Sequence, residues 1–156
     1  DVAGGMLRVP NVRDALPLAP AAKIEVDKSD ATLRLLDAEG KAYAQFPITS
    51  GTAKFPLPIG DWTIESMTPD PWYNYDPALI VTARKGDRKA KLPPGPNGPV
   101  GTMWMALSKP HYGIHGTPEP HLIGRTQSSG CVRLTNWSAT AVAAASTVGM
   151  TVSMVE

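Results

Sequence analysis

With 156 residues, 42% of them hydrophobic and 19% charged, the chain is long enough to bury the core of one ordinary globular domain. A formal net charge of +1 gives no electrostatic case for nucleic acid or an anionic membrane surface, and no apolar run approaches the length of a membrane span. A single cysteine excludes an intrachain disulfide, and 16 prolines with 14 glycines favour short strands and tight turns over long helices.

Residues 1–22 are rich in Ala, Pro and Val without periodicity and read as an extended linker or arm, whereas 23–156 read as the domain itself. The chain opens at Asp1 with neither an initiator Met nor a signal-peptide pattern, as a trimmed or mature product would. From Lys23 the pattern becomes one of short strands. Ile24 and Val26 alternate with Glu25 and Asp27, the mark of a strand with one buried face. Thr32–Leu36 follows a turn at Ser29-Asp30. Ala38-Glu39-Gly40-Lys41 has hairpin chemistry, with 43–49 as the returning strand.

Pro56 and Pro58 lock φ and remove backbone donors, so the segment leading to Gly60 is rigid and cannot be a central strand. Residues 62–66 form a strand with Trp62 and Ile64 on one face. The loop 68–77 carries Trp72, Tyr73 and Tyr75, either a packing cluster or part of a groove wall. Residues 78–83 read as a strand and 84–91 as a solvated basic excursion. The Pro- and Gly-crowded 92–101 forms neither helix nor ladder. A strand over 102–107 puts Met103, Met105 and Leu107 on one side and Trp104 and Ala106 on the other. Asn136 is the predicted N-cap of a helix over 137–147, with Val142 and Ala145 on its buried stripe and Gly149 ending it. A strand over 150–155 closes a mainly β domain with one helix in its C-terminal half, arranged as a sandwich or barrel-like closure.

The chemistry concentrates between Tyr112 and Asn136. Cys131, the lone cysteine, follows Ser128-Ser129-Gly130 and precedes Val132-Arg133, and His115 lies upstream in Gly113-Ile114-His115-Gly116. A thiol is a poor nucleophile until deprotonated, and a neighbouring imidazole can take its proton. Cys131 is therefore the candidate nucleophile and His115 the candidate general base and acid. Gly130 permits a tight turn that aims main-chain N–H groups, that of Cys131 included, at an oxyanion, and a hydroxyl of Ser128 or Ser129 can join them. Arg133, two positions along a strand, shares the face of Cys131 and either binds a substrate carboxylate or serves as a buried ion-pair partner. Tyr112 and Ser128 are further candidate substrate contacts. A zinc site from His111, His115, His121 and Cys131 is the competing arrangement, but Pro110 and Gly113 argue against the helix that would converge the first two.

His115-Gly116-Thr117, a short gap, and then Ser128-x-Gly130-Cys131-Val132-Arg133-Leu134-x-Asn136 resembles the active-site signature of the YkuD-type L,D-transpeptidases, bacterial cell-wall enzymes. The resemblance covers roughly residues 23 to 155, with Ser129 standing where many members carry His. It implies a β-sandwich of mixed sheets, no cofactor, and a place in the cell envelope, the periplasm. It also implies that the carbonyl of Gly116 orients His115. On the same grounds Cys131 attacks the third-residue carbonyl of a peptidoglycan tetrapeptide stem and expels the terminal D-Ala, and an amine of another stem resolves the thioester. Carbapenems would acylate Cys131. A water acceptor would make an L,D-carboxypeptidase, a lipoprotein lysine an anchoring enzyme, and an inert thiol a peptidoglycan-binding domain. Met6–Asn11 is similar to the last strand of a LysM module, a peptidoglycan-binding repeat.

Overall fold

The computed structural model describes residues 17–79, 84–125, 128 and 130–156. The expectations for 1–16, for 80–83 and for Ser129 therefore lie outside the described residues. Ten strands are described: β1 (Lys23–Asp27), β2 (Thr32–Leu36), β3 (Ala42–Pro47), β4 (Gly60–Pro69), β5 (Tyr73–Tyr75), β6 (Ala90–Leu92), β7 (Met103–Leu107), β8 (Gly113–His115), β9 (Val132–Arg133) and β10 (Thr151–Val155). One helix, α1 (Asn136–Ala144), precedes the last strand.

Eight of these strands form one mixed sheet in the order β3-β2-β1-β10-β4-β7-β8-β9, with β1–β10 and β8–β9 parallel. Burial sets the register. Ile24 faces Val152 and Val26 faces Met154, and all four are at most 2% exposed. A slip of one residue would turn this set to solvent and carry Glu25 and Asp27 into the core. Leu33, Leu35, Ile64, Met105, Ile114 and Val132 join the same hydrophobic cluster, so both halves of the sheet share one core and the sheet curls around it. Its ends meet. Beyond β3 the chain turns back so that Thr49 and Arg133 exchange two backbone hydrogen bonds, while Ser128 N donates to Ser50 O at 2.9 Å. This is the mainly β, mixed-sheet architecture expected.

Helix α1 lies against β7 and β8 and buries Ser138, Ala139, Val142 and Ala143. Its N-cap is Thr135, whose hydroxyl accepts from Ser138 N at 3.1 Å, and not the predicted Asn136. The helix ends at Ala144, earlier than expected. Gly149, at φ +87, is not its C-terminal cap but turns the chain into β10 and donates to Ile64 O at 2.8 Å. The Tyr-rich loop and the basic excursion pair with each other as the β5–β6 hairpin. Residues 77–79 form a 3-10 turn where a strand was predicted to begin at 78. Residues 17–22 lie on the domain: Ala21 N donates to Ala145 O at 2.8 Å, and the Tyr43 hydroxyl donates to Ala19 O at 2.5 Å. Among the described residues no helix is long and apolar enough to cross a membrane.

Candidate active site

The site is built on the parallel pair β8–β9. Ile114 faces Val132 and His115 faces Arg133, and one step back along this register sets Cys131 opposite Gly113. Because side chains alternate along a strand, Ile114 and Val132 enter the core with no exposure. His115, Cys131 and Arg133 therefore share the opposite face. Gly113 leaves that face open. A Cβ there would come within 2.7 Å of the Trp104 ring, which instead stacks on His115 with centroids 5.4 Å apart.

His115 is 4% exposed, and its Nδ1 donates to Gly116 O at 2.6 Å. A carbonyl only accepts, so the proton sits on Nδ1 and the lone pair on Nε2. Burial pushes the imidazole down to about 4, against the pull of the Gly116 carbonyl and with help from the charge of Arg133. Cys131 is partly exposed, and its thiol donates to His111 O at 3.6 Å rather than to the imidazole. Burial pushes this thiol up, opposed by the Gly113 backbone and the Arg133 charge. Both shifts favour the neutral forms of the two groups. His111 sits at φ +69, an uncommon conformation for a non-glycine residue, in the turn that directs its carbonyl at the sulfur.

The turn before the nucleophile is closed by Ser128 and Gly130. The Ser128 hydroxyl donates to Cys131 O at 2.5 Å and accepts from Gly130 N at 3.2 Å. At 1% exposure, Ser128 has its hydroxyl engaged in closing this turn. Gly130 is at φ +102, and a Cβ on it would lie 2.8 Å from the Tyr112 ring. Tyr112 is thus the wall of this turn. Its hydroxyl donates to Pro56 O at 3.4 Å, and Lys109 sits 5.3 Å above its ring.

Arg133 has no carboxylate partner among the described residues, and its buried Nε makes no hydrogen bond. The ion-pair reading of Arg133 therefore finds no partner there. Tyr73, from β5, lies near Cys131 and Arg133, and burial is the main reason its hydroxyl is pushed up. The β5–β6 hairpin thus supplies a groove wall, one of the two readings of its aromatics. An open cleft of about 510 Å³ runs between this hairpin and His111, with Lys89, Lys91 and Asp76 on its sides. The Asp76 carboxylate pairs with Lys89 at 2.6 Å. His121 lies exposed on a 3-10 turn (Pro120–Leu122), and no set of three His, Cys, Asp or Glu groups converges among the described residues.

The Gly116 carbonyl accepts from Nδ1 of His115. Sequence reasoning missed Trp104 as the ring over His115, although strand alternation had set it opposite the Met stripe. Asn136 was missed in another way. Its side chain does not cap the helix but turns inward, its oxygen accepting from Thr102 N at 3.2 Å and its nitrogen donating to Pro96 O at 3.0 Å.

The curled sheet matches solved L,D-transpeptidases. One from Mycobacterium smegmatis aligns with a TM-score of 0.66 over 85% of this chain and 58% of that one, at 20% identity. L,D-transpeptidase 3 from Mycobacterium tuberculosis, solved with a faropenem-derived adduct, aligns at 0.67 over 88% and 61%, at 18% identity. By fold this is a domain of the L,D-transpeptidase type. The YkuD protein of Bacillus licheniformis is 31% identical over 136 residues, 86% of this chain and 64% of that relative. The family model of the YkuD L,D-transpeptidase catalytic domain matches residues 21–154, and the chain belongs to that family. It spans less than two thirds of the length of these relatives.

Proposed function

We propose that this domain is a peptidoglycan L,D-transpeptidase of the cell envelope in which Cys131 is the nucleophile and His115 the general base. The observation that carries the reading is the β8–β9 register, which sets the two residues on one face of adjacent strands, with the imidazole neutral and its lone pair on Nε2.

The donor is a tetrapeptide stem. Nε2 of His115 takes the thiol proton as the sulfur bonds to the third-residue carbonyl carbon, and the resulting oxyanion is met by the N–H of Cys131. One such donor is worth about 3–4 kcal/mol of barrier. Collapse breaks the C–N bond to the terminal D-Ala, whose amine receives the proton from His115. The thioester is then attacked by an amine of a second stem. His115 accepts the amine's proton and returns it to the departing sulfur, which restores the thiol and leaves a 3→3 cross-link. Arg133, cationic and without a carboxylate partner among the described residues, suits a stem carboxylate, and Tyr73 and Tyr112 bound the path to the sulfur. Solved neighbours in complex with imipenem, a carbapenem, and with a faropenem-derived adduct support acylation of Cys131 by β-lactams.

Intact-mass spectrometry after incubation with a purified disaccharide-tetrapeptide tests the reading. The expected result is an acyl-enzyme that has lost D-Ala, followed by a cross-linked product. Cross-linking by a Cys131→Ala protein would overturn it, and hydrolysed tripeptide as the sole product would make water the acceptor.

A further inference from the structure

The carboxamide of Asn136 sits where three segments converge: the loop ending at Gly101, the end of β8 at Gly116, and the first turn of α1. Its oxygen accepts from Thr102 N and its nitrogen donates to Pro96 O, at 3.2 and 3.0 Å. The oxygen occupies the space that a Cβ would take at both Gly101 and Gly116. At Gly101 a Cβ would also come within 2.8 Å of Thr117 N. The two glycines are therefore the price of seating this one side chain between their backbones.

Glycine gives the backbone at residue 116 more freedom than any other residue would, yet the carbonyl there must stay aimed at Nδ1 of His115. Its N–H is tied to Met103 O at 3.2 Å, which anchors one end of the residue. The wedge against its Cα comes from the Asn136 oxygen. We propose that Asn136 is a positioning residue: by holding the Gly116 peptide, it keeps the Nδ1-protonated tautomer of His115 and leaves Nε2 free to take the thiol proton. The inference rests on His115 being the base. It also explains why Thr135, not Asn136, caps the helix: the Asn136 carboxamide is committed to the loop and the base.

The test uses the full chain and two variants, Asn136→Ala and Asn136→Asp, with His115→Ala as control. Two quantities are measured: the rate of Cys131 acylation by a carbapenem against pH, and the His115 tautomer by nitrogen-15 NMR. Asn136→Ala is expected to slow acylation roughly 100-fold, the size of loss a misplaced catalytic group gives, and to show both tautomers. Asn136→Asp keeps an acceptor for Thr102 N–H and puts a negative charge beside the Gly116 carbonyl. Its acid limb of the rate profile is expected to move to higher pH. Should Asn136→Ala fail to fold, the Asp variant decides alone. Wild-type rates with a single tautomer in Asn136→Ala, or an unmoved limb in Asn136→Asp, overturn the proposal. Full acylation in His115→Ala would sink the base assignment instead, and the NMR tautomer would still report on Asn136.

Discussion

Thr49 and Arg133 exchange a pair of backbone hydrogen bonds, 3.0 Å from Thr49 N to Arg133 O and 2.8 Å in the other direction. They belong to the two ends of the curled sheet, so this pair closes it and fixes the strand that carries the cysteine. The Thr49 hydroxyl also accepts from Gly124 N at 3.0 Å and donates to Leu122 O at 3.3 Å, tying the 118–125 loop to the same point. Thr49 is 2% exposed, so Thr49→Val leaves the Gly124 N–H without this acceptor. The expected loss is about 1–3 kcal/mol in urea unfolding, with faster amide exchange at Gly124. Unchanged stability and exchange would remove Thr49 from this role.

Acid should destabilise the fold through His115. The imidazole titrates at about 4 in the folded chain against 6.5 for the free group, because burial disfavours its charged form. The unfolded chain thus binds the proton first as pH falls. The contribution is fully present above pH 6.5 and is lost between there and about 4, roughly 2–4 kcal/mol in all. Urea midpoints measured at pH 7 and 4.5 should differ less for His115→Gln than for the parent. Equal slopes would mean the histidine is not the group responsible.

Cys131 should alkylate along a pH curve displaced above that of an ordinary thiol, since burial outweighs the Gly113 backbone and the Arg133 charge. Arg133→Met removes a cation that lowers both the Cys131 and the His115 values. Both titrations should therefore move to higher pH in that variant. Iodoacetamide rates against pH check the direction for Cys131 and a nitrogen-15 NMR titration checks it for His115, and a shift downward would contradict the placement of the arginine.

Gly130→Ala should harm the turn before the nucleophile in two ways. Its φ of +102 disfavours any side chain, and the new Cβ would meet the Tyr112 ring at 2.8 Å. About 1–3 kcal/mol of stability should be lost, with a larger drop in β-lactam acylation. Adding Tyr112→Ala should relieve the collision and leave the backbone strain, so only part of the loss returns. Full recovery would assign the whole effect to packing.

What could be read from the chain before any coordinates was local. Alternation at Ile24–Val26 and at Met103–Leu107 marks strands because burial on one sheet face repeats every second residue. Gly130 beside Cys131, and His115 beside Gly116, are legible because the chemistry sits in neighbours along the backbone. The helix was legible in place, but its cap was not: Thr135 and Asn136 are both good capping residues, and the space left by Gly101 and Gly116 drew Asn136 away.

The tertiary structure alone decided the rest. The parallel pairing of β8 with β9, the Thr49–Arg133 closure and the hairpin that brings Tyr73 near the sulfur all join residues distant along the chain. No period or propensity in any single segment encodes such partnerships, because they are chosen by the burial of the whole apolar set at once. The charge state of the site has the same origin. The sequence determines that a thiol and an imidazole are present, but burial in the folded chain is what pushes the imidazole down and the thiol up.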